Sequence, residues 1–175
     1  VLDLDGTLTN EKKKITPRTF NALMMAQEKG VKIVLASGRP TQGIVPLAVQ
    51  LNLSKFGGYI LAFNGGLVID CSSGKQIFNS DLAPEFVNDL YAEAKSAGLE
   101  ILTYQGDVIA ATKKKNKYVL TEAFINKMDV IEYTDFPNQV KYPINKCLIV
   151  GDPKPLHALE LHLAEKFDGK MTVYR

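Results

Sequence analysis

The sequence predicts an α/β fold over its first part, followed by a unit of α+β character. Three observations carry this. Strand and helix periodicities alternate as β-α-β-α-β up to Gly66, the crossovers between strands are long enough for a parallel sheet, and beyond about residue 81 hairpin signals mix with helices. The chain of 175 residues is 46% hydrophobic and 23% charged, an ordinary globular balance with length for one large or two small domains.

The opening run Val1-Leu2-Asp3-Leu4-Asp5 alternates apolar and acidic and reads as a strand that breaks at Gly6. Thr16-Pro17 supplies a helix cap followed by proline at the first helical position; Phe20, Leu23 and Met24 give the helix an apolar face, and Gly30 stops it. Residues 31–36 (VKIVLA) form a second strand ending in Ser37-Gly38-Arg39-Pro40. Ile44, Leu47, Ala48 and Leu51 then fall at helical spacing, with Pro46 expected in the first turn. Tyr59 to Phe63 is the third strand, closed by Asn64-Gly65-Gly66, and 67–70 with 76–79 make a hairpin.

Pro84 opens a helix that turns Phe86, Val87, Leu90, Tyr91 and Ala94 inward and ends at Gly98. Strands at 100–104 and 108–112 flank Gln105-Gly106-Asp107, 118–128 reads as helix, 145–150 as strand and 155–167 as helix. Residues 170–175 alternate like a further strand. The expected division is 1–80 and 81–175. Because the chain starts and stops inside strand patterns, it is expected to be a segment of a longer protein.

Bulk charge excludes several classes. Lysine plus arginine exceed aspartate plus glutamate by 21 to 19, and the triplets Lys12–Lys14 and Lys113–Lys115 lack the aromatic interleaving of a nucleic-acid surface, so both read as solvated loops. No apolar run approaches the ~18 residues of a membrane span, and no secretory leader is visible. No nucleic-acid or membrane partner is expected, and a cytoplasmic location follows. Cys71 and Cys147 lack a CxxC partner and read as free thiols; His157 and His162 are five apart, which splays them on a helix.

The chemistry concentrates in Asp3-Leu4-Asp5-Gly6-Thr7. In an extended backbone both carboxylates share a face, and two adjacent like charges favour a bound cation. Oxygen ligands select a hard divalent ion, and Mg²⁺ is the one expected. Gly6 and Thr7 offer N–H groups to phosphate oxygens, and a carboxylate can attack phosphorus while a second handles the leaving group's proton. A calcium loop is excluded because the glutamate it needs at its last position would be Lys14. Ligands in parallel α/β sheets gather at the carboxyl ends of strands, which brings Ser37, Gly38, Arg39 and Asn64 beside the acidic turn. Ser37 is equally suited to capping the following helix, and Arg39 to a solvated loop.

VLDLDGTLT, the helix beginning at Thr16-Pro17, LASGRP and FNGG together resemble the haloacid dehalogenase superfamily, specifically its Cof-type, sugar-phosphatase-like branch. The resemblance covers essentially the whole chain. It implies a Rossmann-like parallel-sheet core, present in its N-terminal part only (1–80), and an inserted α+β cap (81–175). It implies a Mg²⁺-dependent phosphatase acting on a small phosphorylated metabolite. Asp3 would be nucleophile and Mg²⁺ ligand, Asp5 the general acid/base whose backbone carbonyl also binds Mg²⁺, and Ser37 the phosphate-binding hydroxyl, with Gly38, Arg39 and Asn64 near the site.

The chain departs from that family in one respect. The lysine and distal acidic pair that complete the site are expected on later core strands, and Gly151-Asp152 is followed by Pro153-Lys154-Pro155 where the second acid would stand. Gly151-Asp152 therefore reads as a strand-to-helix turn of the cap, and the segment alone is expected to be a poor catalyst. A receiver-type phosphoacceptor module would carry its aspartate at the end of the third strand, where Asn64 stands. A non-catalytic binding or regulatory protein on the same scaffold is the remaining alternative.

Overall fold

The computed structural model describes residues 1–174, and the chain divides into two compact units, Val1–Ser80 and Asp81–Arg175. The first contains β1 (Leu2–Asp3), α1 (Pro17–Glu28), β2 (Val34–Ala36), α2 (Thr41–Gln50), α3 (Leu53–Phe56), β3 (Tyr59–Ala62), β4 (Leu67–Asp70) and β5 (Gln76–Asn79). Its sheet runs β1-β2-β3-β4-β5; the first three strands are parallel and the last two antiparallel. The chain is thus an α/β protein.

Local chemistry explains most of these boundaries. Thr16 caps α1, its hydroxyl accepting the Thr19 N–H at 3.2 Å, and Pro17 follows where a missing N–H costs nothing. Leu35, Ile44, Leu51, Leu53 and Ile60 bury almost completely in one cluster with Leu4 and Leu8. Each such side chain contributes roughly 1.5–3 kcal/mol by leaving water. Leu4 and Leu8 are the apolar members of the acidic turn, so the turn is anchored in the core at two points.

Pro46 departs from expectation: it lies inside α2 rather than in its first turn. Having no N–H, it leaves the Gln42 carbonyl without its helical donor. The defect falls on the exposed face, while Ile44 and Ala48 hold the other face to the core. The strands β1 and β2 are shorter than read, and β3 stops at Ala62 because Phe63 turns left-handed at φ 52°. The four-residue α3 was not foreseen.

The second unit contains α4 (Pro84–Ser96), β6 (Glu100–Gln105), β7 (Val108–Ala111), α5 (Lys117–Asn126), β8 (Asp129–Glu132), α6 (Phe136–Gln139), β9 (Leu148–Val150) and α7 (Pro153–Lys166). Its sheet runs β8-β7-β6-β9, with β7 and β8 parallel across the α5 crossover and the other pairs antiparallel. Val87, Leu90, Ile101, Phe136, Leu159 and Leu163 form its core. The sequence reading lacked β8 and α6. It also expected a strand at 170–175; residues 170–174 form none, and Met171 and Val173 pack against this core instead, while Arg175 lies outside the described residues.

Gly151 joins β9 to α7 at a point of close approach. A Cβ there would run into the Leu99 side chain, so the turn admits only glycine without displacement. Asp152, next to it, does not cap α7 with its side chain; its carboxylate accepts the Tyr118 hydroxyl at 2.6 Å, and Lys117 lies 3.6 Å away.

Candidate active site

All the candidate residues lie in the first unit. The register of β1 on β2 pairs Asp3 with Ala36, so Asp3 and Ser37 stand at neighbouring strand ends. Beyond Asp3 the chain coils rather than continuing extended. The N–H of Leu8 reaches the Asp3 carbonyl at 3.0 Å and that of Thr9 the Leu4 carbonyl at 2.9 Å, each bond spanning five residues. Gly6 enters this wide turn at φ 84°, and Gly6 and Thr7 sit exposed on its rim. Asp3 and Asp5 are therefore not two positions of one flat strand, as the alternation implied.

Asp3 is exposed, and among the described residues no ion-pair partner holds its carboxylate. Asp5 is the opposite case. Arg39 grips it with two donors, Nε to Oδ2 at 2.9 Å and Nη2 to Oδ1 at 2.6 Å, and Lys13 adds Nζ to Oδ1 at 2.7 Å. Burial works to raise the Asp5 pKa, but the hydrogen bonds and charges of Arg39 and Lys13 outweigh it and hold the carboxyl below its ordinary value. The charge that seemed to call for a metal is met at Asp5 by a guanidinium and an ammonium.

Arg39 is not a solvated loop residue: its side chain is only 12% exposed. Its position follows from two loops that interlock. The Phe63 N–H donates to the Arg39 carbonyl and the Asn64 N–H to the Ser37 carbonyl, both at 3.0 Å. Phe63 and Asn64 do this in left-handed conformations, φ 52° and 59°, which non-glycine residues seldom adopt. Gly38 lies under the Asn64 amide, where a Cβ would come within 3.0 Å of both amide heteroatoms. Ser37 is not a helix cap, since α2 begins at Thr41 behind Pro40; its Oγ accepts the Arg39 N–H at 3.2 Å, which leaves its own proton to donate.

The structure thus joins Asp5, Arg39 and Lys13 in one cluster and Ser37, Gly38, Arg39 and Asn64 in another, with Asp3 at the adjoining strand end. Lys13, read from the sequence as solvated, is the residue that reading missed. The signal available was Asn10, a turn former three residues earlier. Among the described residues no group of three or more His, Cys, Asp or Glu gathers as a metal site. A cation here would take the Asp3 carboxylate and a main-chain oxygen, with its other positions left to water and phosphate. That donor set is all oxygen and suits Mg²⁺, which keeps several waters and takes few carboxylates.

Residues 1–175 match the family described as haloacid dehalogenase-like hydrolase. A Streptococcus pyogenes serotype M6 protein named "Putative phosphatase" is 28% identical over 176 residues, covering 99% of this chain and 65% of that protein. A haloacid dehalogenase-like hydrolase of Bacteroides thetaiotaomicron, known from a crystal structure, is 46% identical with a TM-score of 0.92, again over 99% of this chain and 65% of the other. A solved structure described as a subclass IIB sugar phosphatase superposes with a TM-score of 0.71 at 20% identity, over 90% and 60% of the two chains, which is a likeness of fold. The chain therefore spans about two thirds of the length of these relatives.

Proposed function

The chain belongs to the haloacid dehalogenase-like hydrolase family, and from that premise we propose that the whole protein is a Mg²⁺-dependent phosphomonoester hydrolase acting on small phosphorylated metabolites, sugar phosphates foremost. The observation that carries this reading is the contrast between the two aspartates: Asp3 exposed at a strand end with no ion-pair partner among the described residues, Asp5 held by two cations. The streptococcal relative's name and the fold shared with a sugar phosphatase point the same way.

In the proposed reaction Asp3 attacks phosphorus in line and forms an aspartyl phosphate as the ester bond breaks; Asp5 gives its proton to the departing alkoxide. Water then loses a proton to Asp5 and attacks the same phosphorus, returning Asp3 as a carboxylate. The Ser37 hydroxyl and the N–H groups of Gly6, Thr7 and Gly38 would hold the equatorial oxygens, while Asn64 fixes the loop that carries Ser37. The Asp3 carboxylate and the Asp5 carbonyl would hold Mg²⁺, which neutralises phosphate charge and orients the group for displacement. Arg39 and Lys13 lower the Asp5 pKa, which makes the carboxyl a stronger acid in the first step and at the same time reduces the share of enzyme protonated to begin it. Residues 81–175 would be the cap of this family, the part that selects the leaving group.

The test is turnover of a panel of phosphomonoesters with Mg²⁺ by the full-length gene product, wild type against Asp3→Asn. A loss of about 10³-fold or more is expected. Equal turnover by the two removes Asp3 as nucleophile.

A further inference from the structure

We propose that Phe63 is a positioning residue for the Ser37 hydroxyl, one whose ring holds the left-handed turn after β3 and, through it, the loop that receives the phosphoryl group. This rests on the hydrolase reading above and deepens it.

Ala36 pairs with Leu61 in the parallel ladder of β2 and β3, and the Ser37 N–H extends that ladder to the Leu61 carbonyl at 2.9 Å. A ladder that continued would run on in the same direction along both chains. The next bonds instead cross: the Asn64 N–H meets the Ser37 carbonyl, and the Phe63 N–H meets the Arg39 carbonyl. In an extended strand successive N–H groups point to opposite sides. Here three successive residues have positive φ, Phe63 at 52°, Asn64 at 59° and Gly65 at 92°, and the N–H groups of Phe63 and Asn64 both turn to the loop after β2. The Gly66 N–H closes the turn on the Phe63 carbonyl at 3.1 Å.

Positive φ comes freely to glycine and is tolerated by asparagine, but a bulky side chain resists it. Phenylalanine is therefore the costly residue of this turn. Its side chain is half-buried and packs against the core that holds Leu35 and Ile60. Apolar packing is also available to a strand that simply continues, so packing alone does not call for the turn. A backbone outlier anchored in the core and bonded to the site loop is better explained by orientation of that loop. Phe63 holds the Arg39 carbonyl; the Arg39 N–H in turn holds Ser37 Oγ at 3.2 Å and leaves the hydroxyl its proton to donate.

The experiment reads the inhibition constant of inorganic phosphate against p-nitrophenyl phosphate turnover by the full-length gene product with Mg²⁺. It compares wild type, Phe63→Gly, Phe63→Leu, Ser37→Ala and the double variant of Phe63→Gly with Ser37→Ala. Phe63→Gly keeps the turn accessible but removes its anchor, and is expected to raise the constant by about tenfold, the scale of one hydrogen bond to a charged group. Phe63→Leu keeps an apolar anchor and is expected to stay within about threefold of wild type. In the Ser37→Ala background the Phe63→Gly change should raise the constant by less than about twofold, because a residue acting through a hydroxyl has no effect once that hydroxyl is gone. Thermal midpoints are read alongside; where Phe63→Gly shows no cooperative melt, Phe63→Ala replaces it in both backgrounds.

A constant unchanged in Phe63→Gly, raised as much without the Ser37 hydroxyl as with it, or raised as much in Phe63→Leu overturns the proposal and leaves the hydrolase reading standing. Loss of the fold in both Phe63→Gly and Phe63→Ala does the same. If Ser37→Ala alone leaves the constant unchanged, Ser37 holds no phosphate and the role of Phe63 falls without touching Asp3. If wild type turns over no ester, the hydrolase reading falls and this role with it.

Discussion

Arg39 holds Asp5 in a two-pronged grip, Nε on one carboxylate oxygen at 2.9 Å and Nη2 on the other at 2.6 Å, across 34 positions of sequence. The guanidinium is nearly buried and its own backbone is tied down by Phe63. The strained loop after β3 therefore sets the orientation of a carboxylate after β1.

Replacing Arg39 by lysine keeps the charge and loses the fork. With Asp5 free to rotate, steady-state assays of Arg39→Lys are expected to show kcat lower by about 10²-fold, the scale on which small displacements of a reacting group act. A kcat within twofold of wild type would show that the grip is dispensable.

The same grip makes a pH-dependent contribution to stability of sign fixed by the Asp5 shift. The folded value lies below the ordinary 3.8, so the pair stabilises the fold fully above that pH and the stabilisation is lost as pH falls through the folded value. Asp5 is 40% exposed, so the amount is at most about 1 kcal/mol. Urea melts of wild type and Asp5→Asn should differ by that much near neutrality and converge in acid.

Asn64 sits at φ 59°, a conformation that glycine adopts freely and β-branched residues resist. Asn64→Gly is expected to hold stability within a few tenths of a kcal/mol, and Asn64→Val to lose about 1–3 kcal/mol. Thermal denaturation distinguishes them.

How much of this was legible depended on how local the cause was. The Thr16-Pro17 start of α1, the hairpin of β4 and β5, and the inward face of α4 were legible because each is set by residues within a few positions of one another. The strand β8 and the helix α6 were not. Neither is joined to a sequence neighbour by a tight turn, as β4 and β5 are: β8 is fixed by parallel pairing with β7 across α5, and α6 by burial of Phe136. At the site, Asp3, Asp5 and the Ser37-Gly38-Arg39 loop stood out by residue type and position at strand ends. Lys13 did not, because its contact with Asp5 depends on a left-handed turn around Asn10 that composition alone does not reveal.

Gly151→Ala should destabilise the second unit by about 1–3 kcal/mol, the usual cost of overpacking, because its Cβ meets Leu99. The double variant with Leu99→Ala should lose less than the sum of the two single losses, a coupling that a double-mutant cycle reads directly.

Phosphoryl transfer to the first aspartate is the step on which the proposed chemistry depends. A crystal structure of the full-length gene product with Mg²⁺ and beryllofluoride tests it most directly: beryllium should be bonded to a carboxylate oxygen of Asp3. An adduct on any other side chain, or none at saturating Mg²⁺, would refute that role.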